Sequence, residues 1–135
     1  MFDWKKPTVQ MLGRWQPWHP AHTALFKEAL KITGQVCIMV RTVPATVDAS
    51  GGRTEQVQDD NPFDYYTVTK NIEEALYDEG YYINGEYVIL EAPNIVDISY
   101  GRTVGYSFTQ HDLGEEMHNI SATKIRAKMR EEGKL

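Results

Sequence analysis

Two histidines three positions apart are the residues of this chain whose types and spacing best suit chemistry. His19 and His22 lie in residues 13–22 (GRWQPWHPAH), between a short apolar run and a helical pattern. The sequence predicts a strand-to-helix turn, with His19 at the N-cap, Pro20 at the first helical position and His22 in the first turn. A helix start offers unpaired N–H groups and a positive dipole end, so we expect an anion site, most simply for phosphate, beside two imidazoles.

A second helix start near the carboxyl end carries complementary groups. Ser121 is a good N-cap, and Ile120 and Ile125 occupy the places of a hydrophobic staple. The first turn of this helix also contains Thr123, Lys124 and Arg126. Each of these residues alone has an ordinary interpretation as a cap or a surface charge. Taken together they predict a second helix start equipped for an anion, and Arg14 supplies a similar charge at the strand-to-helix turn.

The histidines allow two other interpretations. Residues three apart share a helix face and can form part of a metal site, but no third ligand stands nearby in the sequence and structural zinc usually needs four. A purely capping or structural role for both imidazoles is the other alternative. We expect no metal site built from protein ligands.

Composition indicates the class of protein. With 135 residues, 41% of them hydrophobic and 24% charged, residues 1–135 are expected to form one globular domain. The net charge of −5 argues against a nucleic-acid partner, and no apolar run is long enough to predict a transmembrane helix or a signal peptide. The single cysteine, Cys37, is typical of a small core residue in a reducing compartment, so we expect a cytoplasmic protein with no membrane partner.

Apolar periodicity predicts a β-α-β unit around the histidines. A strand over residues 8–12 is followed by a helix that runs to about residue 33, with Gly34 as the C′ residue. The continuous apolar run 36–40 is typical of a strand covered on both faces. In such units the first turn lies at the carboxyl edge of the sheet, where open α/β sheets bind ligands. Arg41 and Arg102, which end or follow strands, are weaker candidates for substrate binding at this edge.

The remaining pattern completes an α/β fold. Asn61-Pro62 can cap a second helix that ends before Gly80. Its predicted buried stripe consists of Tyr65, Val68, Ile72, Ala75 and Leu76. A third strand is expected over residues 87–90, a short fourth strand over 106–108 and a solvated loop over 112–116, whereas the long loop 43–61 is expected to be functional or mobile. The predicted architecture is a Rossmann-like open parallel sheet with helices on both faces, in a single domain.

The two motifs together resemble a known superfamily. Residues 13–22 and 120–126 (ISATKIR) are similar to the paired signatures of the HxGH nucleotidyltransferases, H-x-G-H after the first strand and I-S-S/G-T-x-x-R before the last helix. The first block most resembles the G-R-x-Q-P-F-H-x-G-H of archaeal-type nicotinamide-mononucleotide adenylyltransferases. Residues 61–63 and 87–95 also echo that family. The chain departs from the pattern at Ala21 and Ala122, and its segment before Ser121 is shorter.

The resemblance implies nucleotidyl transfer, in which an acceptor phosphate oxygen attacks the α-phosphorus of a nucleoside triphosphate and pyrophosphate leaves. It assigns catalysis to His19, His22 and Arg126, with His22 on the α-phosphate. The nucleotide and its phosphates would be bound by Gly13, Arg14, Trp15, Gln16, Ser121, Thr123 and Lys124. Mg²⁺ would bridge the phosphates, mostly through water.

The expected reaction transfers AMP from ATP to a phosphorylated small molecule, with nicotinamide mononucleotide as the first acceptor, to give NAD and pyrophosphate. One alternative is a cytidylyltransferase acting on a sugar or polyol phosphate. Another is a catalytically inactive nucleotide-binding regulator, and a third is a plain partner-binding domain. Association into a homo-oligomer is left open by the sequence.

Overall fold

Three parallel strands form the centre of the protein. The computed structural model describes residues 1–42, 61–102 and 105–135, apart from the side chain of His118. Its elements are, in order, β1 (Val9–Gly13), α1 (Pro20–Thr33), β2 (Val36–Arg41), α2 (Tyr65–Asp78), β3 (Tyr87–Ala92), α3 (Glu115–His118) and α4 (Ala122–Glu131). The strands lie in the order β1-β2-β3, and each neighbouring pair is parallel. The predicted α/β class with a parallel sheet is therefore confirmed.

The register of the strands determines which side chains share a face. Met11 lies opposite Ile38, which lies opposite Ile89 on β3. On this face the buried strand residues form one hydrophobic core with both crossover helices, through Phe26 and Ala29 of α1 and Val68, Ile72 and Leu76 of α2. Both helices therefore pack on the same side of the sheet. Two right-handed crossovers that advance in the same direction produce this arrangement.

The other face of the sheet corrects a prediction. Neither α1 nor α2 covers it, because both pack on the opposite face. Along β2, buried residues alternate with half-buried ones, instead of forming the uniformly covered strand that was predicted. Cys37 is one of the half-buried residues, and burial raises the pKa of its thiol. The alternation follows from coverage by α1 and α2 on one side alone.

Two helix ends have the predicted caps. Gly34 adopts a left-handed conformation with φ of 87°, and its N–H donates to the Leu30 carbonyl at 2.8 Å. Glycine reaches this conformation without strain, so α1 ends there. At the start of α4, the Ser121 hydroxyl accepts the backbone N–H of Lys124.

The start of α2 differs from its prediction. Asp64, and not Asn61-Pro62, is the N-cap, because its carboxylate accepts the Thr67 N–H at 2.8 Å. A side-chain hydrogen bond with Thr67, together with this backbone one, lowers the pKa of Asp64. Tyr65, predicted in the buried stripe, is the first helical residue and is 37% exposed.

Two short segments also differ. No β-ladder among the described residues includes residues 106–108, and both of their aromatic side chains are exposed. An apolar-polar alternation without a packing surface does not make a strand. Residues 112–116 are not wholly loop, because α3 begins after Gly114, whose N–H donates to the Asp112 carboxylate. Two glutamates in its first turn suit the positive end of the helix dipole.

Two further predictions concern the loop 43–61 and membrane-spanning helices. The predicted loop 43–61 lies outside the described residues, except for Asn61. Within the ranges that are described, no helix is long and apolar enough to cross a membrane.

Candidate functional site

His19 and His22 cap the start of α1 reciprocally. Nδ1 of His19 accepts the Ala21 N–H at 3.2 Å, and Nδ1 of His22 accepts the backbone N–H of His19 at 3.1 Å. The two rings are stacked with their centroids 3.6 Å apart. A neutral imidazole that accepts at Nδ1 carries its proton on Nε2. Each histidine therefore retains one Nε2–H donor.

The surroundings of the histidines keep them uncharged. Burial lowers the pKa of His19, and burial together with the charge of His19 lowers the pKa of His22 to about 3. The rings of Trp15 and Trp18 lie 4.8 and 5.4 Å from that of His22, measured between centroids, and supply its apolar environment. Near neutral pH the turn thus offers two N–H donors without a histidine charge.

The same tautomers disfavour a metal at these histidines. A metal ion would need the lone pair of Nε2, but the hydrogen bonds to Nδ1 place a proton on Nε2. Across the described residues, no group of three or more His, Cys, Asp or Glu side chains is arranged to hold a metal ion.

Trp15 shows why position 13 is a glycine. The Trp15 backbone is left-handed, with φ of 53°, and its indole N–H donates to the Met39 carbonyl at 3.1 Å. The indole lies over Gly13, where an added Cβ would be 2.8 Å from a ring carbon. Gly13 and Trp15, predicted to bind nucleotide, are packed against each other here. A part for them in nucleotide binding stays a prediction.

Gln16 and Arg14 join the turn to the segment before α2. Oε1 of Gln16 accepts the Phe63 N–H and Nε2 donates to the Phe63 carbonyl, both at 2.9 Å. Nη1 of Arg14 donates to Oδ1 of Asn61 at 3.4 Å. Gln16 was predicted to bind the nucleotide or its phosphates, but its side-chain amide is already hydrogen-bonded to the backbone of Phe63.

The start of α4 docks on the same turn. Arg126 is 4% exposed, and its Nη1 donates to the Gln16 carbonyl at 2.7 Å while Nη2 donates to the Thr123 hydroxyl at 3.2 Å. Arg126 therefore connects α4 to the turn that leads into α1, 110 positions earlier in the chain. Ser121 is half-buried as the cap, and Lys124 is exposed.

We refer to the contact between Arg126 of α4 and the turn before α1 as the junction. None of the hydrogen bonds that the described residues show brings Arg41 or Arg102 to it. Nη1 of Arg41 donates to the Ile95 carbonyl at 3.4 Å, and its Nε is buried without a hydrogen-bond partner in the described part of the chain. Arg41 also lies on the sheet face that α1 and α2 leave uncovered. Arg102 is exposed.

Sequence reasoning missed the residues that support the turn. Asn61 is 4% exposed and contacts Arg14, and Phe63 contributes only its backbone to Gln16. A residue that pairs through its backbone can be of any type, so the sequence does not reveal the contact. The reciprocal cap could have been found in the sequence, because His19 and His22 occupy the N-cap and N3 positions of a capping box.

Comparison with known proteins does not assign the chain to a family. No protein-family model matches it, and no curated protein matches it significantly. A functional proposal therefore depends on the sequence motifs and on the junction between Arg126 of α4 and the turn before α1.

Proposed function

We propose that the protein is a nucleotidyltransferase that moves AMP from ATP to a phosphorylated small molecule, with nicotinamide mononucleotide as the expected acceptor. The observation that carries this proposal is the docking of Arg126 on the turn that holds the mutually capped histidines. Its Nη1 lies 2.7 Å from the carbonyl of Gln16, three residues before His19. This hydrogen bond supports the proposal because it connects one motif, through Arg126, to the turn that leads into the two histidines of the other.

The proposed chemistry needs donors where negative charge develops. An acceptor phosphate oxygen forms a bond to the α-phosphorus as the bond to the pyrophosphate oxygen breaks, and charge grows on the non-bridging and leaving oxygens. The Nε2–H of His22 suits the α-phosphate because a neutral imidazole donates without changing its protonation state. His19 supplies a second such donor, and Arg126 adds a permanent positive charge. Further donors at the start of α4 are Ser121, Thr123 and Lys124.

Mg²⁺ fits this site as an ion carried by the phosphates. The side chains gathered here are mainly N–H donors and a cation, whereas Mg²⁺ prefers carboxylate, phosphate and water oxygens. When bound, Mg²⁺ would neutralise part of the phosphate charge. The residues of the junction would then hold the phosphates, and would contact the ion only through them.

The proposal is tested by pyrophosphate release in the presence of Mg²⁺. ATP and CTP are each combined with nicotinamide mononucleotide, glycerol 3-phosphate and other phosphorylated acceptors. Release with ATP and nicotinamide mononucleotide supports the proposal in full. Release with CTP alone contradicts the donor and acceptor and favours the cytidylyltransferase. Nucleotide binding without release from any pair contradicts the enzyme assignment and favours the regulator.

A further inference from the structure

We infer that Gln16 is a positioning residue that fixes the guanidinium of Arg126 relative to the paired histidines. Its side chain is bound to the segment before α2, and its main chain is bound to α4. One residue of the turn thus links segments 47 and 110 positions away along the chain. The effect on nucleotide binding rests on the proposed function, whereas the linkage itself does not.

The side chain of Gln16 is held from both ends of its amide. Oε1 accepts the Phe63 N–H and Nε2 donates to the Phe63 carbonyl. The side-chain amide therefore makes both of the hydrogen bonds that a β-strand residue would make with the backbone of Phe63. Gln16 is 8% exposed, which leaves little water to replace either bond. This clamp determines how the backbone of residue 16 is oriented.

The orientation of that backbone places one of the acceptors that hold Arg126. The Gln16 carbonyl accepts from Nη1 at 2.7 Å, and a hydrogen bond to a planar guanidinium is directional. If the clamp to Phe63 is lost, the backbone at residue 16 is held less firmly and its carbonyl can shift away from Nη1. Because Pro17 follows and its ring fixes φ, we expect the whole turn to shift, and not a single peptide group to rotate. A guanidinium that is 4% exposed then has to find another arrangement, because a buried unsatisfied donor is costly.

A second buried glutamine provides a matched control. Gln35 is 5% exposed, its Oε1 accepts the Asp3 N–H at 3.0 Å, and its Nε2 donates to the Asp3 carbonyl at 2.6 Å. It precedes β2, at the opposite edge of the parallel sheet from the histidine turn. Nε2 of Gln35 also donates to the Thr8 hydroxyl at 2.7 Å and to the Lys6 carbonyl at 3.5 Å. Gln35→Ala therefore removes the same kind of clamp and two further hydrogen bonds, so it is the harsher substitution, and it does not touch Arg126.

The first experiment observes Arg126 directly by NMR. A guanidinium held by fixed acceptors rotates slowly and gives resolved Nη–H signals, which Arg126→Lys identifies by their disappearance. We expect these signals in the wild type and in Gln35→Ala, and their broadening or displacement in Gln16→Ala. Unchanged Arg126 signals in Gln16→Ala, or equal disturbance by Gln35→Ala, would overturn the inference.

A second variant protects the test against a failure of Gln16→Ala to fold. In Gln16→Glu, an ionised carboxylate still accepts the Phe63 N–H but cannot donate to the Phe63 carbonyl, whereas a protonated carboxyl can do both. We expect the displaced Arg126 signals to return as the pH is lowered through the pKa of the new carboxyl. Signals at the wild-type position at every pH would contradict the inference.

The third measurement separates this inference from the proposed function. With Mg²⁺ present, calorimetric titration with ATP is expected to show affinity reduced about tenfold in Gln16→Ala and by less than about twofold in Gln35→Ala. If both variants bind ATP as the wild type does, Gln16 does not position Arg126 for nucleotide. If the wild type binds no ATP while Arg126 responds to Gln16→Ala, the positioning role stands and the proposed function fails.

Discussion

His19 donates its backbone N–H to Nδ1 of His22, while its own Nδ1 accepts the N–H of Ala21, so two imidazoles cap a single helix between them. A capping box more commonly pairs a hydroxyl with a carboxylate or amide. A carboxylate here would repel a phosphate, whereas each imidazole is left with an Nε2–H donor. The contacts that cap the start of α1 therefore also leave two imidazole N–H donors at that end of the helix.

The proposed catalytic role of His22 can be separated from its role as a cap. In His22→Asn, the side-chain oxygen can still accept the His19 N–H, but nothing replaces the Nε2–H donor. We expect turnover to fall by roughly a hundredfold or more, the scale of losing one transition-state donor, with a small change in melting temperature. Pyrophosphate release and thermal denaturation measure the two effects. The control is His111→Asn, at a half-buried histidine in the segment before α3. Turnover near that of the wild type would remove His22 from the mechanism.

The partial removal of His19 and His22 from water makes the fold sensitive to acid. Unfolded histidine takes up a proton near pH 6.5, whereas His22 in the folded protein does so only near its pKa of about 3. Acid therefore favours the unfolded chain, and stability present above pH 6.5 is lost as the pH falls toward 3. Between pH 7 and pH 5 we expect His22 to reduce the free energy of unfolding by about 2 kcal/mol.

Urea denaturation at the two pH values measures this loss. The lowered pKa of His19 adds to it in the same direction. In His22→Asn the difference between pH 7 and pH 5 is expected to be clearly smaller. An equal difference in both proteins would show that His22 does not titrate as a buried group.

Gly13 is predicted to be intolerant of a single methyl group. In Gly13→Ala the new Cβ would lie 2.8 to 3.0 Å from the Trp15 ring, which is 7% exposed and bonded to the Met39 carbonyl. We expect a loss of about 1–3 kcal/mol in the free energy of unfolding, with an altered near-ultraviolet circular dichroism signal from the displaced indole. Gly101→Ala is the control, because a Cβ there meets nothing within 4 Å. Equal stability of the two variants would contradict the packing argument.

Arg126 is predicted to require its guanidinium as well as its charge. Lysine keeps the charge, but a single ammonium does not reproduce the fork that reaches both the Gln16 carbonyl and the Thr123 hydroxyl. In Arg126→Lys we expect the KM for ATP to rise about tenfold or more, on the scale of one lost hydrogen bond to a charged group. Steady-state kinetics test this, with the exposed Arg130→Lys on the same helix as the control. An unchanged KM would show that charge alone is sufficient.

The sequence predicts well what depends on neighbouring residues. Gly34 ends α1 and Ser121 begins α4 because capping is decided within a few positions of the chain. The cap at Asp64 was missed because Asn61 offered a similar local signal three residues earlier.

Long-range partners could not be predicted in this way. Gln16 sits in a motif that suggests phosphate, but its amide is taken by the backbone of Phe63, 47 positions away. The placement of α1 and α2 on one face depends on strand order, which apolar periodicity does not contain. Residues 106–108 have the alternation of a strand, yet pairing requires a neighbour that no local pattern supplies.

The strand register also bears on the order in which the chain folds. Val9 pairs with Val36, 27 positions later, whereas Val36 pairs with Tyr87, 51 positions later. Each doubling of loop length adds only about 0.6 kcal/mol to the entropic cost of closure, a modest advantage for the first β-α-β unit. The bond between Gln16 and Arg126 spans 110 positions and is expected to form last. In a partly folded chain that has formed only the first β-α-β unit, we expect His19 and His22 to be in place before Arg126 reaches the turn.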